Sequence, residues 1–269
     1  MIVRVGDRVR RGRAVSFSDV PVDAGTVAAA VRGTAADVAV ECPDPGPVHD
    51  RVGLVTDGMG LRTRTALAEA ARSRGTDAPQ DEQVATLRER LDDLDPPDAA
   101  LAVPHRDLAD LAGEVTDLRE RVAERRGAVA ALRDAGGDAE TARSDLVAAA
   151  RELSEVETER IAARQRLDDR REAARAARDV RERRLRLEDR IANLEREARA
   201  HLVETVRTEF ASAVRELGHD GDPFDAGAAT AALGVARVAD LAAPVVLDCD
   251  RFPDATAAAD WLDAPVIRL

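Results

Sequence analysis

Two short segments carry residue types that could bind a ligand, and each follows a strand-like run. Gly58 and Gly60 precede a helical pattern that contains Thr63, and the free amides and dipole of a helix N-terminus attract anions. Asp248 and Asp250 follow an apolar run, and a pair of carboxylates of this kind can hold Mg²⁺. The sequence therefore offers an anion-binding hypothesis at Gly58, Gly60 and Thr63, and a metal-binding hypothesis at Asp248 and Asp250.

Both segments also have a simpler structural explanation. A junction from strand through turn to helix needs glycine in any case, and an acidic protein places carboxylates wherever a strand meets solvent. The four histidines are scattered along the chain, and we expect His201 to pack in a helix seam rather than to bind a metal. No specific catalytic motif is present, so the sequence favours a protein without enzymatic activity and implies no cofactor.

Arginine clusters are a more informative feature. Between residues 160 and 190 there are 12 arginines and 7 acidic residues, in a chain whose net charge is −12. A basic stripe of this kind can contact phosphates, and its candidate contacts are Arg170, Arg171, Arg175 and Arg178. Aromatic residues are only 2% of the chain, so base stacking on single strands is not expected. The alternative is the flank of a coiled coil, where arginines pair with nearby acids.

The segment 104–217 carries the pattern that organises the chain. Apolar residues alternate at spacings of three and four in two successive stretches, which predicts two long helices with coiled-coil seams. The first stretch has Leu111, Val115, Leu118, Val122, Val129 and Leu132, and the second has Leu146, Ala149, Leu153 and Val156 before it continues through alanines and arginines. Residues 135–138 should form the turn, because paired glycines suit a helix C-cap and Asp138 suits the next N-cap.

A short turn makes the two helices antiparallel neighbours. Residues whose numbers sum to about 273 then face each other, and Pro96, Pro97 and Pro104 should mark a break in the shorter arm. By this sum, Asp107, Asp110 and Glu114 lie near Arg160 and Arg164, whereas Glu89 and Asp92 lie near Arg181 and Arg184. If these acids pair with the arginines, the stripe is neutralised internally; if they turn away, the arginines are left for phosphates.

The two ends of the chain read as parts of one small α/β module. The N-terminal part predicts strand, helix, strand, strand and helix, and the C-terminal part predicts strands near residues 245 and 266 around a helix. We therefore predict an α+β fold in which a long antiparallel α-helical coiled-coil hairpin projects from a head built from both termini. The predicted domains are 1–78 and 218–269 for the head, 79–103 for a helix and Pro-rich linker, and 104–217 for the hairpin.

Composition indicates a habitat. The sequence pI is near 5.0, and all 40 basic residues are arginines, since the chain has no lysine. A dense carboxylate surface keeps proteins soluble at high salt, so the chain resembles uncharacterised coiled-coil proteins of haloarchaea, although a GC-rich mesophile would also prefer arginine. The two distant cysteines fit a reducing cytoplasm, and no apolar run is long enough for a transmembrane helix.

The layout of a split head with a coiled-coil hairpin resembles that of the SMC-type ATPases. This resemblance covers the layout only, because the P-loop motif requires a lysine and the chain has none. It implies no ATPase residues here. The sequence favours a non-enzymatic scaffold or bridging protein of a halophilic archaeon that binds protein partners, or a second copy, through the coil. The alternatives are a chromosome- or nucleic-acid-associated protein and a degenerate SMC-like nucleotide-binding protein.

Overall fold

The computed structural model describes residues 1–94 and 106–269. They form two compact units, one of Met1–Arg88 with Asp189–Leu269 and one of Glu89–Glu188. We call the first the head unit and the second the hairpin unit. The break predicted at Pro96, Pro97 and Pro104 lies outside the described residues, and the domain boundaries given above remain predictions.

The elements follow the chain in an α+β order. The strands are β1 (Ile2–Val5), β2 (Arg8–Arg11), β3 (Ala14–Ser16), β4 (Val38–Glu41), β5 (Leu54–Thr56), β6 (Val245–Asp248) and β7 (Val266–Arg268). The helices are α1 (Ala24–Val31), α2 (His49–Val52), α3 (Thr63–Ser73), α4 (Asp81–Asp92), α5 (Arg106–Asp134), α6 (Glu140–Glu216), α7 (Ala228–Val238) and α8 (Ala255–Leu262).

A four-stranded parallel sheet joins the two ends of the chain in the head unit. Its strand order is β3-β7-β6-β5, so each of the two C-terminal strands pairs with a strand from the N-terminal part. Thr56 lies beside Asp248, and Val15 lies beside Ile267. A separate antiparallel sheet, β2-β1-β4, comes from the N-terminal part alone. The predicted construction of the head from both termini is therefore confirmed.

The parallel sheet is buried on both faces, as its apolar strands predict. Val245 and Leu247 point into a core shared with α3, α7, α8 and the last turns of α6, whereas Val246 and Ile267 point into a core shared with α1 and the antiparallel sheet. This alternation is the period-two pattern of a strand. Each face of the sheet therefore depends on a different set of helices.

The last part of α6 supplies the centre of the larger core. Phe210 is fully buried and packs beside Val214. Gly234 of α7 approaches both residues so closely that an added Cβ would lie 2.8 Å from Val214 Cγ2 and 3.0 Å from Phe210 Cε2. Gly234 lies inside the single helix α7, where the missing side chain allows this close packing.

The hairpin unit contains α5 and the first part of α6. Val115, Leu118 and Val156 are buried together, which confirms the seam. Three ion pairs cross between the arms: Arg119 with Glu157 (2.7 Å), Arg121 with Glu152 (3.4 Å) and Arg125 with Asp145 (3.0 Å). The residue numbers in these pairs sum to 270–276, in agreement with the predicted facing of the two arms.

The turn has the geometry that its glycines predict. Gly136 has a φ of +68°, and its N–H donates to Arg133 O (3.0 Å) while Gly137 N–H donates to Leu132 O (3.0 Å). These two bonds form a Schellman motif that ends α5. The Asp138 carboxylate then accepts a hydrogen bond from Glu140 N–H (3.0 Å) and stabilises the first turn of α6.

The last strand of the N-terminal part, predicted over residues 51–56, is confirmed only over residues 54–56, because residues 49–52 form the short helix α2. The expectation about His201 is wrong. His201 was expected to pack in the seam, but it is exposed, and its neighbour Leu202 is buried instead. The predicted α+β class with a long antiparallel helical hairpin is confirmed.

Gly234 and Gly113 provide a test of helix packing. Glycine costs about 1 kcal/mol relative to alanine in a helix interior, and a Cβ at Gly113 would meet no atom within 4 Å. Gly113→Ala should therefore raise the free energy of unfolding by about that amount. Gly234→Ala should instead lower it by about 1–3 kcal/mol through overpacking. Thermal unfolding followed by circular dichroism measures both, and a Gly234→Ala protein as stable as wild type would contradict the close approach.

Candidate functional site

The two sequence-predicted sites meet at the carboxyl edge of the parallel sheet. Strands β5 and β6 are neighbours, with Thr56 beside Asp248, so the loops that begin at Asp57 and Cys249 leave the sheet side by side. In open parallel sheets this edge is where ligands bind. The structure therefore brings the glycine segment and the carboxylate pair to one edge, which the sequence alone did not indicate.

The two carboxylates at this edge are exposed, and one of them already has a cationic partner. Asp248 and Asp250 are both exposed, and Asp250 is engaged by Arg268 at 3.3 Å. Arg268 is itself held by a hydrogen bond to Pro253 O (2.6 Å), so a cation at Asp250 would have a guanidinium as a neighbour. Within residues 1–94 and 106–269, no group of three or more His, Cys, Asp or Glu side chains could hold a metal ion. Metal binding at Asp248 and Asp250 remains a prediction.

The glycine segment is a loop and not the first turn of a helix. Helix α3 begins at Thr63, and Arg62 precedes it without a side-chain capping bond. Gly58 and Gly60 lie upstream of this helix end, and both have open space where a side chain would be. Next to Thr63, the Arg64 guanidinium lies 4.0 Å from the centre of the Phe224 ring. The arrangement places positive charge near the helix N-terminus, but anion binding at Gly58, Gly60 and Thr63 remains a prediction.

The two thiols are not prepared for nucleophilic chemistry. Burial is the largest effect on Cys249 and raises its pKa; Asp57 and Asp248 also raise it, against the opposing effects of a backbone hydrogen bond at Arg251 and of the Arg251 charge. Burial likewise raises the pKa of Cys42. A reactive cysteine needs the opposite, a thiolate stabilised by positive charge, so both thiols are protonated at neutral pH.

The candidate nucleic-acid contacts lie on α6 in the hairpin unit. Arg170, Arg171, Arg175 and Arg178 are all exposed. Arg171 pairs with Asp168 on its own helix (3.2 Å), and the surface around it is lined by alternating acids and arginines: Asp168, Arg171, Glu172, Arg175 and Asp179. Two of the four arginines therefore share their surface with three carboxylates.

The expected pairs between the stripe and the facing arm do not form in the part of the chain that the structure describes. Arg184 pairs with Glu188 on its own helix (3.1 Å) and not with Glu89 or Asp92. Arg160 makes no ion pair with Asp110 or Glu114 there, and the side chain of Asp107 lies outside that part. Three arginines of the stripe pair instead along α6: Arg171 with Asp168, Arg184 with Glu188 and Arg186 with Glu182, because residues three or four apart on a helix are already in reach.

A buried histidine is the group that sequence reasoning missed. His49 of α2 is only 1% exposed, and its Nε2 donates to Pro244 O at 2.8 Å. Its Nδ1 has no hydrogen-bond partner among the described residues. Gly53 leaves room for the ring, because a Cβ there would overlap His49 Cε1; no local sequence pattern contains this contact. Through its bond to Pro244 O, His49 joins the entry of β6 to the N-terminal part of the chain.

The pH dependence of stability should report on His49. Burial lowers its pKa in the folded state, and the Arg32 charge lowers it further, against the opposing effects of the Pro244 bond and Asp50. Below a pH of about 6.5, the ordinary pKa of histidine in the unfolded chain, the unfolded chain binds a proton at His49 that the folded chain does not bind. Stability should therefore fall as the pH drops below that value, by up to about 1.4 kcal/mol per pH unit.

Denaturant unfolding between pH 8 and pH 5 measures this slope. His49→Gln keeps an N–H donor for Pro244 O but does not titrate, so its slope should be flatter than that of the wild type. The control is His201→Gln, at an exposed histidine, which should leave the slope unchanged. Equal slopes for His49→Gln and wild type would show that another group controls the pH dependence.

Comparisons with known proteins place the chain in a family. Residues 12–266 match a family model described as a family of unknown function, DUF7856. Comparison with curated proteins found no significant match, and neither did comparison with solved structures. Among the described residues no helix is long and apolar enough to cross a membrane. Because the matched range runs from the start of β3 to the start of β7 and so includes both units, the chain belongs to the DUF7856 family of unknown function.

Proposed function

We propose that the protein is a non-enzymatic coiled-coil scaffold that bridges protein partners in the cytoplasm of a halophilic archaeon. The observation that carries the proposal is the exposure of large apolar side chains on the hairpin unit. Val147 is 66% exposed and Ile161 is 60% exposed, on a helix whose other outward positions are mostly charged. A contiguous exposed apolar surface marks a site for protein partners, whereas single exposed apolar residues are ordinary. In this proposal Val147 and Ile161 belong to one such surface along α6.

The construction of the hairpin supports a bridging role. Its arms are held by an apolar seam and by ion pairs across the arms, and its turn is fixed by the Schellman bonds. Exposed ion pairs contribute only about 0–1 kcal/mol each, so the seam supplies most of the stability. A stable helical pair of this length can hold partners at separate points along its surface.

Nucleic-acid binding is the second candidate, and the exposed arginines of α6 are the observation that favours it. Two features place it second. Arg171 and Arg175 share their surface with Asp168, Glu172 and Asp179, so a phosphate would meet carboxylates beside them. The five aromatic residues, Phe17, Phe210, Phe224, Phe252 and Trp261, are all in the head unit, so the hairpin unit offers no ring for base stacking.

Shortening the hairpin tests the scaffold proposal. Removal of residues 116–129 and 144–157 deletes two heptads from each arm in register, and it leaves the turn intact. Proteins that bind the hairpin should co-purify from the source cells with the full chain but not with the shortened chain, as measured by quantitative mass spectrometry. Thermal unfolding of the head unit is the control and should not change. Recovery of the same proteins with both chains would contradict the proposal.

Salt dependence tests the alternative. Replacement of Arg170, Arg171, Arg175 and Arg178 by Gln removes the candidate contacts, and replacement of Arg126, Arg133, Arg143 and Arg151 removes the same charge nearer the turn. We expect duplex DNA to bind weakly at low salt and not at all in molar KCl, because counterion release drives such binding. Affinity that persists in molar KCl and is lost only with the first set would make nucleic-acid binding the leading function.

A further inference from the structure

The hairpin unit has two flanks of different chemistry. If heptad positions are written a to g with the seam at a and d, an antiparallel pair places the e and b positions of both helices on one side and the g and c positions on the other. The ion pairs confirm this assignment. Arg119 and Glu157 are both e residues and pair at 2.7 Å, whereas Arg121 and Glu152 are both g residues and pair at 3.4 Å.

The g and c side is strongly acidic. It carries carboxylates on both arms, including Asp110, Glu114, Asp117, Glu152, Glu155 and Glu159. The e and b side, which we call the apolar flank, is defined by Thr116, Ala123, Val147, Ala150, Ser154 and Ile161, all of them exposed. Between residues 109–130 and 147–164, Glu157 is the single carboxylate at these positions, and it pairs with Arg119. Arg126 and Arg164 also lie at e positions, so the remaining charge on this side is positive. One flank of a very acidic chain is therefore nearly free of acidic charge.

We propose that the apolar flank binds the apolar flank of a second copy of the chain, so that two hairpins form a four-helix bundle. This inference rests on the proposed scaffold function and names one of its partners. The acidic flank would repel a second copy, since the net charge is −12. The apolar flank removes that repulsion from the contact surface, and its small residues let the helices approach closely.

The spacing of the apolar residues fits a twofold arrangement. Val147 and Ile161 each lie seven residues from Ser154 along α6. When α6 packs against α6 of a second copy in the antiparallel direction, with Ser154 at the twofold axis, Val147 of each copy meets Ile161 of the other. An isologous contact of this kind repeats every favourable pair twice.

The area of the flank allows only a weak dimer. At 1.5 Å per residue, the levels from Val147 to Arg164 and their counterparts on α5 extend over roughly 25–30 Å, and two helices are about 20 Å wide. Each copy would bury roughly 500–600 Å², or about 1,000–1,200 Å² in total, which lies below the usual range of stable interfaces and within that of weak, transient ones. The dimer should therefore be reversible and depend on protein concentration.

Mass measurement on the full chain tests the proposal directly. Light scattering should give a mass of twice 28.8 kDa for the wild type at high concentration. Val147→Glu places charge on the apolar flank and should raise the dimer dissociation constant by at least about tenfold. The matched control is Ala148→Glu, which adds the same charge one residue along, at an exposed position on the acidic flank. A wild type that stays at 28.8 kDa, or a dimer that Val147→Glu does not weaken, would overturn the proposal.

Cross-linking locates the axis. In a chain with Cys42→Ser and Cys249→Ser, Ser154→Cys should form a disulfide-linked dimer under mild oxidation, because both thiols would lie at the twofold axis. Ser144→Cys is the control, as an exposed serine on the same helix at an f position, and it should not cross-link. Efficient cross-linking through Ser144→Cys alone would exclude this arrangement.

The scaffold function and this inference can fail separately. A chain that remains monomeric but loses co-purifying proteins when the hairpin is shortened would overturn the second copy as occupant and leave the scaffold proposal standing. A dimer with the expected variant pattern, whose co-purifying proteins do not depend on the hairpin, would overturn bridging and leave the self-association standing.

Discussion

The parallel pairing of β5 with β6 is the constraint on which the head unit depends. It joins residues 54–56 to residues 246–248, across nearly 190 intervening residues. Closing a flexible loop of that length costs about 5 kcal/mol beyond a constant term, by the logarithmic dependence on length. The cost falls if the hairpin forms first, because its antiparallel arms already bring residues near 110 and 163 together. Local helix formation thus makes a distant strand pairing easier, which also favours faster folding.

Much of this fold could be predicted because its signals are local. The seam of α5 and α6 repeats over many turns, and the turn between them combines Gly136, Gly137 and Asp138, each in a position that its own backbone chemistry favours. The bounds of the short elements could not be predicted in this way, because they depend on contacts with distant parts of the chain. Residues 49–52 form a helix turn because His49 is anchored to Pro244, a contact 195 residues away. No local pattern contains that information.

The candidate sites show a similar division. That Asp248 and Asp250 follow a strand, and that Gly58 and Gly60 precede a helix, could be deduced from sequence. Their convergence at one sheet edge could not, because it requires β5 and β6 to be neighbours. The ion pairs of α6 also show what the sum of residue numbers cannot predict. The sum tells which residues lie at the same height on the two arms, but not where their side chains point. Arg184 pairs with Glu188, one turn away on its own helix, and not with a residue of the facing arm.

High salt affects the exposed arginines and the exposed apolar residues of the hairpin unit differently. At molar ionic strength the Debye length is about 3 Å, so the exposed arginines of α6 would act only on groups in direct contact. Apolar contacts such as those of Val147 and Ile161 do not weaken in this way, and strongly hydrated salts reinforce them. At that ionic strength, attraction at a distance is largely lost, while shape and apolar area remain. The exposed apolar residues, although far fewer than the arginines, are therefore the better basis for recognition.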